Sequence, residues 1–323
     1  MGSGAIAENN NWLVVVNPNA GSRKGEKDWP KIAGLLDENG FTFQAIFTES
    51  RNHAIKLTVS ALEEGFRKII IVGGDGTLNE VVNGIFRQKI CPAGEVVIGM
   101  IPVGTGNDWG RMYGIPKKYK KAIGVIKKEH CFIQDVGYVT YYDELEKKDR
   151  YFINVSGMGY DALVAHKTNQ LKDRGRGGKM SYLLNIFAGL FQYKNMHFDI
   201  HVDGKEVFSG KVLSMNMGIC KYNGGGLMQV PEAVPDDGLL DVTVIKGISK
   251  FKIIKNVAKL YDGSFIKLSF VDTFRGTSCR IVSRPHGSVM LEADGESLGH
   301  SPLEFSVLEK AVCFIIPQIV EKN

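Results

Sequence analysis

Residues 66–86 restrict the possible folds of this chain more than any other stretch. Ile69-Ile70-Ile71-Val72 is a short β-branched run of the kind found in a strand buried on both faces. Gly73-Gly74-Asp75-Gly76 follows directly, and Val81-Val82-Asn83-Gly84-Ile85-Phe86 then has the spacing of an amphipathic helix. Strand, glycine-rich turn and helix start are thus joined without a spacer. Such a turn can bring backbone N–H groups close to an anion, and the helix N-terminus adds positive partial charge. Asp75 would repel a phosphate by itself, so its presence predicts a divalent cation between carboxylate and phosphates. A plainer account makes Thr77 and Glu80 a capping box around a tight turn. The two accounts are compatible, but a turn alone does not need three glycines around one acid.

The same rhythm extends over the first 130 or so residues. Leu13–Val16 predicts a strand, followed by the loop Asn17-Pro18-Asn19-Ala20-Gly21-Ser22. A helix is expected from Asp28 and Pro30 to Asn39-Gly40, a strand over 41–47, and a helix over 52–65. A strand over 96–101 leads into Gly104-Thr105-Gly106-Asn107-Asp108. This alternation predicts an α/β domain over residues 11–133 with a doubly wound, mainly parallel sheet, its ligand loops beyond the carboxyl ends of the strands. From 134 to 323 the pattern changes to short β runs with turn signals, including Asp203-Gly204, and predicts an antiparallel, β-sandwich-like domain. Helices interrupt it near 181–192 and 249–262. The last strand is allowed to return to the first domain.

Composition excludes several classes. The 323 residues are 44% hydrophobic, enough for a sizeable core, and the net charge of +5 is too mild to argue for nucleic acid. Five cysteines without a CxxC pair, and seven histidines without metal-ligand spacing, predict neither a disulfide framework nor a transition-metal enzyme. Met1-Gly2-Ser3-Gly4 lacks the features of a secretory signal, and no apolar run reaches the roughly 18 residues that a membrane span needs. The expectation is a cytoplasmic protein resting peripherally on a membrane.

Taken together, VVVNPNAGSRKG, IIIVGGDGTLNEVVNGI, IPVGTGNDWGRMYGIP, NVSGMGYDA, VPDDGLLDV and EADGE resemble the bacterial diacylglycerol kinase family, whose catalytic domain is shared with sphingosine and ceramide kinases. The segments follow the family's order from about residue 13 to 296. GGDGT alone also resembles NAD kinases and phosphofructokinases; the extension GGDGTLNEV with GTGNDWGR is more discriminating. The resemblance implies ATP bound between the domains, contacted by Asn17, Pro18, Asn19, Ala20, Gly21, Thr48, Gly74, Asp75, Gly76, Thr77, Leu78, Asn79, Glu80 and Thr105. It implies that Asp75 and Asp108 organise a catalytic Mg²⁺ and that Glu296 takes the proton of a lipid hydroxyl. A second, structural Mg²⁺ is implied at Asp237 with the backbone oxygens of Val234 and Leu239. Considered without the family, 235–242 is a turn and Glu296 an ordinary hairpin carboxylate.

Phosphoryl transfer asks a protein chiefly to position groups and neutralise charge, and Mg²⁺ takes few carboxylates, which suits Asp75 and Asp108. The chain has no Walker A sequence. Two basic stretches bear on the membrane. Lys117, Lys118, Lys120, Lys121, Lys127 and Lys128 are expected on a solvated helix face. Lys167, Lys172, Arg174, Arg176 and Lys179, before the apolar run 182–187, fit docking on anionic lipid at roughly 1 kcal/mol per basic residue. The run itself reads equally well as a core helix. The expected function is ATP- and Mg²⁺-dependent phosphorylation of a membrane lipid, diacylglycerol first, with a sphingoid base, ceramide or a soluble NAD kinase-type acceptor as alternatives. The oligomeric state is left open, a homodimer included.

Overall fold

Four apolar β runs and the end of the chain build the sheet of the first unit, which comprises Met1–Asp135 and Lys310–Asn323. The computed structural model describes residues 9–173, 189–191 and 193–318. The elements in chain order are β1 (Asn9–Val16), α1 (Ala20–Glu38), β2 (Phe43–Phe47), α2 (His53–Glu63), β3 (Phe66–Gly73), α3 (Asp75–Arg87), β4 (Val97–Pro102), α4 (Asp108–Met112), α5 (Tyr119–Ile126) and the start of β5 (Cys131–Asp143). β1 pairs in parallel with β2 and β3, and β3 with β4. Cys313 and Phe314 of the C-terminal strand extend the sheet beside Val97 and Ile98, again in parallel.

The central runs of β1 and β3 are apolar because they are buried. Val14, Val15, Val16, Ile69, Ile70, Ile71 and Val72 expose nothing. On one side Val14, Val16, Ile70, Val72 and Ile101 form a cluster with Ile32 and Leu36 of α1 and Ile123 and Ile126 of α5. The spacings of four and three residues put each helix pair on one stripe. Each fully buried Val or Ile contributes about 1.5–3 kcal/mol. The lysines at 117, 118, 120, 121, 127 and 128 are all exposed, while Ala122, Ile123 and Ile126 are buried, so they form the solvated face expected there.

α1 differs from expectation. It begins at Ala20, and Pro30 lies inside it. Gly21, Ser22 and Arg23 are left-handed (φ 60°, 59° and 67°), and they fold the chain into a kink before the regular helix. The Asp-x-Pro start signal is therefore overridden by a turn upstream. The end is as expected, with Gly40 at φ 81° and its N–H on Asp37 O at 2.9 Å.

The second unit, Val136–Glu309, is antiparallel in its described pairings. It contains the rest of β5, then β6 (Glu146–Phe152), β7 (Val155–Gly159), α6 (Tyr160–Asp173), β8 (Met196–Val202), β9 (Lys205–Gly218), β10 (Tyr222–Asn223), β11 (Leu227–Met228), β12 (Leu240–Lys246), β13 (Val271–Gly276), β14 (Ser278–Arg284), β15 (Met290–Ala293) and β16 (Glu296–Ile315), whose final residues belong to the first unit. Helix Lys250–Asn256 falls where a helix was expected. Asp203 and Gly204 are both left-handed (φ 47° and 78°) and make the hairpin between β8 and β9. β9 pairs with β8 through its first half and with β7 through its second, while β16 passes from β15 to β14. Since β8 also pairs with β14, these six strands close a circuit. Along β14, Cys279, Ile281 and Ser283 are buried between exposed Arg280 and Arg284, the alternation of a strand with one face inward.

Candidate active site

Three loops of the first unit leave the carboxyl ends of parallel strands and meet. After β1, Asn17 donates its backbone N–H to Val72 O (2.9 Å) and its side-chain Nδ2 to Thr77 Oγ1 (2.9 Å). After β4, Val103 and Gly104 both donate to Gly73 O, at 2.9 and 3.1 Å. Gly74 and Gly104 are in backbone contact: a β-carbon on Gly104 would lie 2.7 Å from the Gly74 Cα. A β-carbon on Gly21 would stand 2.0 Å from Val103 O, and its φ of 60° is itself glycine territory. Thr48, buried just past β2, donates its backbone N–H to Val16 O (2.9 Å). The loops are therefore fastened to one another largely by backbone.

Asp75 opens α3, and its two oxygens take backbone N–H groups of the next loop: Oδ2 from Asp108 at 3.0 Å and Oδ1 from Trp109 at 3.1 Å. This carboxylate caps α4 from 33 residues away. Asn107, left-handed at φ 51°, turns the chain into α4 and donates Nδ2 to Gly104 O at 2.7 Å. α4 is anchored from behind. Trp109 donates Nε1 to Gln134 (2.9 Å), and its ring lies 4.6 Å from that of Phe314. Asp108, 5% exposed, lies 3.5 Å from Arg111 Nε. A β-carbon on Gly106 would be 3.2 Å from Asp75 Oδ2 and 3.5 Å from Asp108 Oδ2. Both acids therefore border the same small space over Gly106.

The other residues implicated by the sequence have varied positions. Asn19 and Thr105 are exposed at loop tips, and Pro18, Ala20, Gly74 and Gly76 are partly accessible in the loops themselves. Leu78 and Asn79 are fully buried; Asn79 accepts from Asn83 Nδ2 and supports α3 from inside. Glu80 does not close a capping box with Thr77. Its carboxylate takes the N–H groups of Asn52 (2.9 Å) and Ala54 (3.0 Å), so it caps α2 instead. Thr77 Oγ1 is engaged by Asn17.

Val234, Asp237, Leu239 and Glu296 belong to the second unit. Asp237 takes the N–H of Leu239 at 3.1 Å and pairs with the Arg275 guanidinium, which also pairs with Asp241 (2.8 Å). Burial raises the pKa of Asp241, against the pull of Arg275. A divalent ion at Asp237 would have to compete with a guanidinium already there. Arg275 lies 38 residues from Asp237 in β13, and no local sequence pattern points to it. Among the described residues no group of three or more His, Cys, Asp or Glu side chains forms a metal cluster, and no helix is long and apolar enough to cross a membrane. Arg174, Arg176, Lys179 and the run 182–187 lie outside the described residues, as does the side chain of Lys172.

Comparisons with known proteins identify the family of the chain. The family description "Diacylglycerol kinase catalytic domain" matches residues 11–139, and "YegS C-terminal NAD kinase beta sandwich-like domain" matches 154–316. A diacylglycerol kinase of Staphylococcus carnosus is 30% identical over 310 residues, covering 96% of each chain. The chain belongs to the diacylglycerol kinase family. It is a kinase. A crystal structure of a Bacillus anthracis diacylglycerol kinase is 25% identical and covers 96% of this chain and 98% of its own, with a TM-score of 0.73. Yeast NADH kinase, 12% identical with a TM-score of 0.53 over 95% of this chain and 84% of its own, shares the fold alone.

Proposed function

We propose that this family member is an ATP- and Mg²⁺-dependent lipid kinase that transfers the γ-phosphoryl group to the hydroxyl of diacylglycerol, working at a membrane surface. The observation that carries the reading is the joint placement of Asp75 and Asp108 over Gly106, in partly accessible loops at the N-terminus of α3. The reading also takes the parallel sheet of the first unit as doubly wound. The donors suit magnesium: two carboxylates border one space, and neither nitrogen nor sulfur is among them. Both oxygens of Asp75 already accept N–H groups, which favours holding the ion through water. When bound, the ion would neutralise charge on the transferring phosphates.

The chain's own residues have separate parts. Glycines 74 and 76 and the first turn of α3 offer N–H donors to phosphate oxygens. Asn17 and Thr77 hold the first loop against the second. Asp75 sets the position of Asp108 by capping α4. Glu296, named by the family resemblance, is the candidate to take the acceptor's proton, a role that typically contributes about 10²–10⁴-fold.

The test is incubation of the protein with labelled ATP, Mg²⁺ and separate mixed-lipid vesicles carrying diacylglycerol, sphingosine or ceramide, with NAD as a soluble acceptor. Label should appear in phosphatidic acid and drop at least about 100-fold in Glu296→Gln. Label in NAD alone, or in no lipid, would overturn the proposal.

A further inference from the structure

The second unit buries a set of oxygen atoms that the kinase reading leaves unused. Gly157 in β7 sits directly opposite Glu292 of β15 on one side and Asn216 of β9 on the other. Residues opposite one another in a ladder project to the same face. The face at Gly157 is roofed by the first turn of α6. A β-carbon there would lie 2.3 Å from Asp161 Oδ2 and 2.6 Å from Glu292 Oε1. Two carboxylates therefore converge on the space left by a missing side chain. Glu292 is 1% exposed and takes Asn223 Nδ2 on Oε1 and the Gly295 N–H on Oε2, both at 2.8 Å. Gln229 donates Nε2 to Asp161 Oδ1 at 2.9 Å, which leaves its own carbonyl beside the pair.

Three buried oxygens of this group have no hydrogen-bond partner: Asp161 Oδ2, Gln229 Oε1 and Asn216 Oδ1. Gln229 and Asn216 are 5% and 2% exposed. An acceptor buried without a partner is unfavourable, and a second carboxylate beside it adds repulsion. The protonation of the acids responds accordingly. Burial raises the pKa of Asp161 to about 6, and burial together with the Asp161 charge pushes that of Glu292 well above the usual carboxylate range.

We propose that Asp161, Glu292, Gln229 and Asn216 form a binding site for a divalent cation over Gly157. A shared proton would relieve only the two acids and leave the amide oxygens of Gln229 and Asn216 with nothing to accept. A single cation answers all of these oxygens and neutralises both charges. The donor set is oxygen only, which selects a hard ion. Carboxylate and amide oxygens supplied by the protein itself suit Ca²⁺ better than Mg²⁺, which keeps most of its waters.

The full-length protein, stripped with chelator and free of nucleotide, is titrated with CaCl₂ by calorimetry and thermal unfolding, and crystals are soaked in CaCl₂ for anomalous difference maps. The expected result is an anomalous peak over Gly157 and a Ca²⁺-dependent rise in melting temperature. The calorimetric affinity should fall at least about 100-fold in Asp161→Asn and in Glu292→Gln, since loss of a direct ligand exceeds the 10–100-fold typical of outer-shell changes. Asp75→Asn should retain it. The soak on the unaltered chain decides the matter even if either variant fails to fold. Absence of the peak, a bound water in its place, or Ca²⁺ binding that survives both substitutions would overturn the proposal.

Discussion

Replacing Asp75 separates the two jobs assigned to it, because its carboxylate both caps α4 and borders the space over Gly106. Asp75→Ala removes the acceptors of two N–H groups on Asp108 and Trp109, residues that are 5% and 1% exposed. A lost cap costs about 0.5–2 kcal/mol, and a buried donor left unpaired about 1–3 kcal/mol. With two donors affected and some water reaching the loop, the expected loss is about 2–4 kcal/mol. Asp75→Asn keeps one carbonyl oxygen and turns an NH₂ group toward the other donor, so about half that loss is expected. In a domain of this size each kcal/mol lowers the melting temperature by roughly 2–4 °C. The assay is thermal unfolding by circular dichroism, paired with kcat and KM for ATP at a temperature where every variant is folded. Stability should rank unaltered protein, then Asn, then Ala, while both variants lose kcat because both lose the charge. An Ala variant melting with the unaltered protein would refute the capping geometry. An Asn variant with unaltered kcat would refute the catalytic role and leave Asp75 as a scaffold residue.

Two glycines provide a control pair for the claim that the loops are fastened by backbone contact. Gly104→Ala places a β-carbon 2.7 Å from the Gly74 Cα and should destabilise by about 1–3 kcal/mol; the displaced loop should lose about 100-fold in kcat/KM. Gly94→Ala meets nothing within 4 Å and should leave melting temperature and kinetics unchanged; equal behaviour of the two variants would show that the loops tolerate separation. Acid stability follows from Asp199, 7% exposed, whose pKa is lowered by hydrogen bonds from Ser209, then Arg284 and His197. A carboxylate with a depressed folded value stabilises above the unfolded pKa of about 3.9 and loses that contribution as pH falls through the folded one. Arg284→Ala should therefore shift the acid-unfolding midpoint of the second unit upward, and an unchanged midpoint would remove this cluster from acid stability.

The residues that could be read from the sequence are those whose partners lie next to them. Ile69–Val72, Gly73–Gly76 and Val81–Phe86 specify strand, turn and helix within about 20 residues, and the structure has β3 and α3 there. Glu80 shows where local reading fails. Thr77-x-x-Glu80 has the form of a capping box, yet the glutamate reaches α2, 26 and 28 residues back, because the left-handed Asn52 presents N–H groups there. Asp75 was legible as an acid inside a glycine-rich turn, but its structural duty depends on N–H groups 33 and 34 residues ahead. The second unit hid more. α6 was missed because Tyr160–Asp173 does not gather its apolar residues on one stripe, and with α6 went the reason for Asp161. The return of a last strand to the first domain was anticipated, but the length of β16 was not, because Gly299 and Pro302 break its alternation. A carboxylate pair assembled across strands has no sequence period: Asp161 and Glu292 are 131 positions apart, and only the register placing Glu292 opposite Gly157 brings them together. Chemistry carried by one loop can therefore be inferred before the fold is known, whereas chemistry assembled across strands becomes visible only with the pairing.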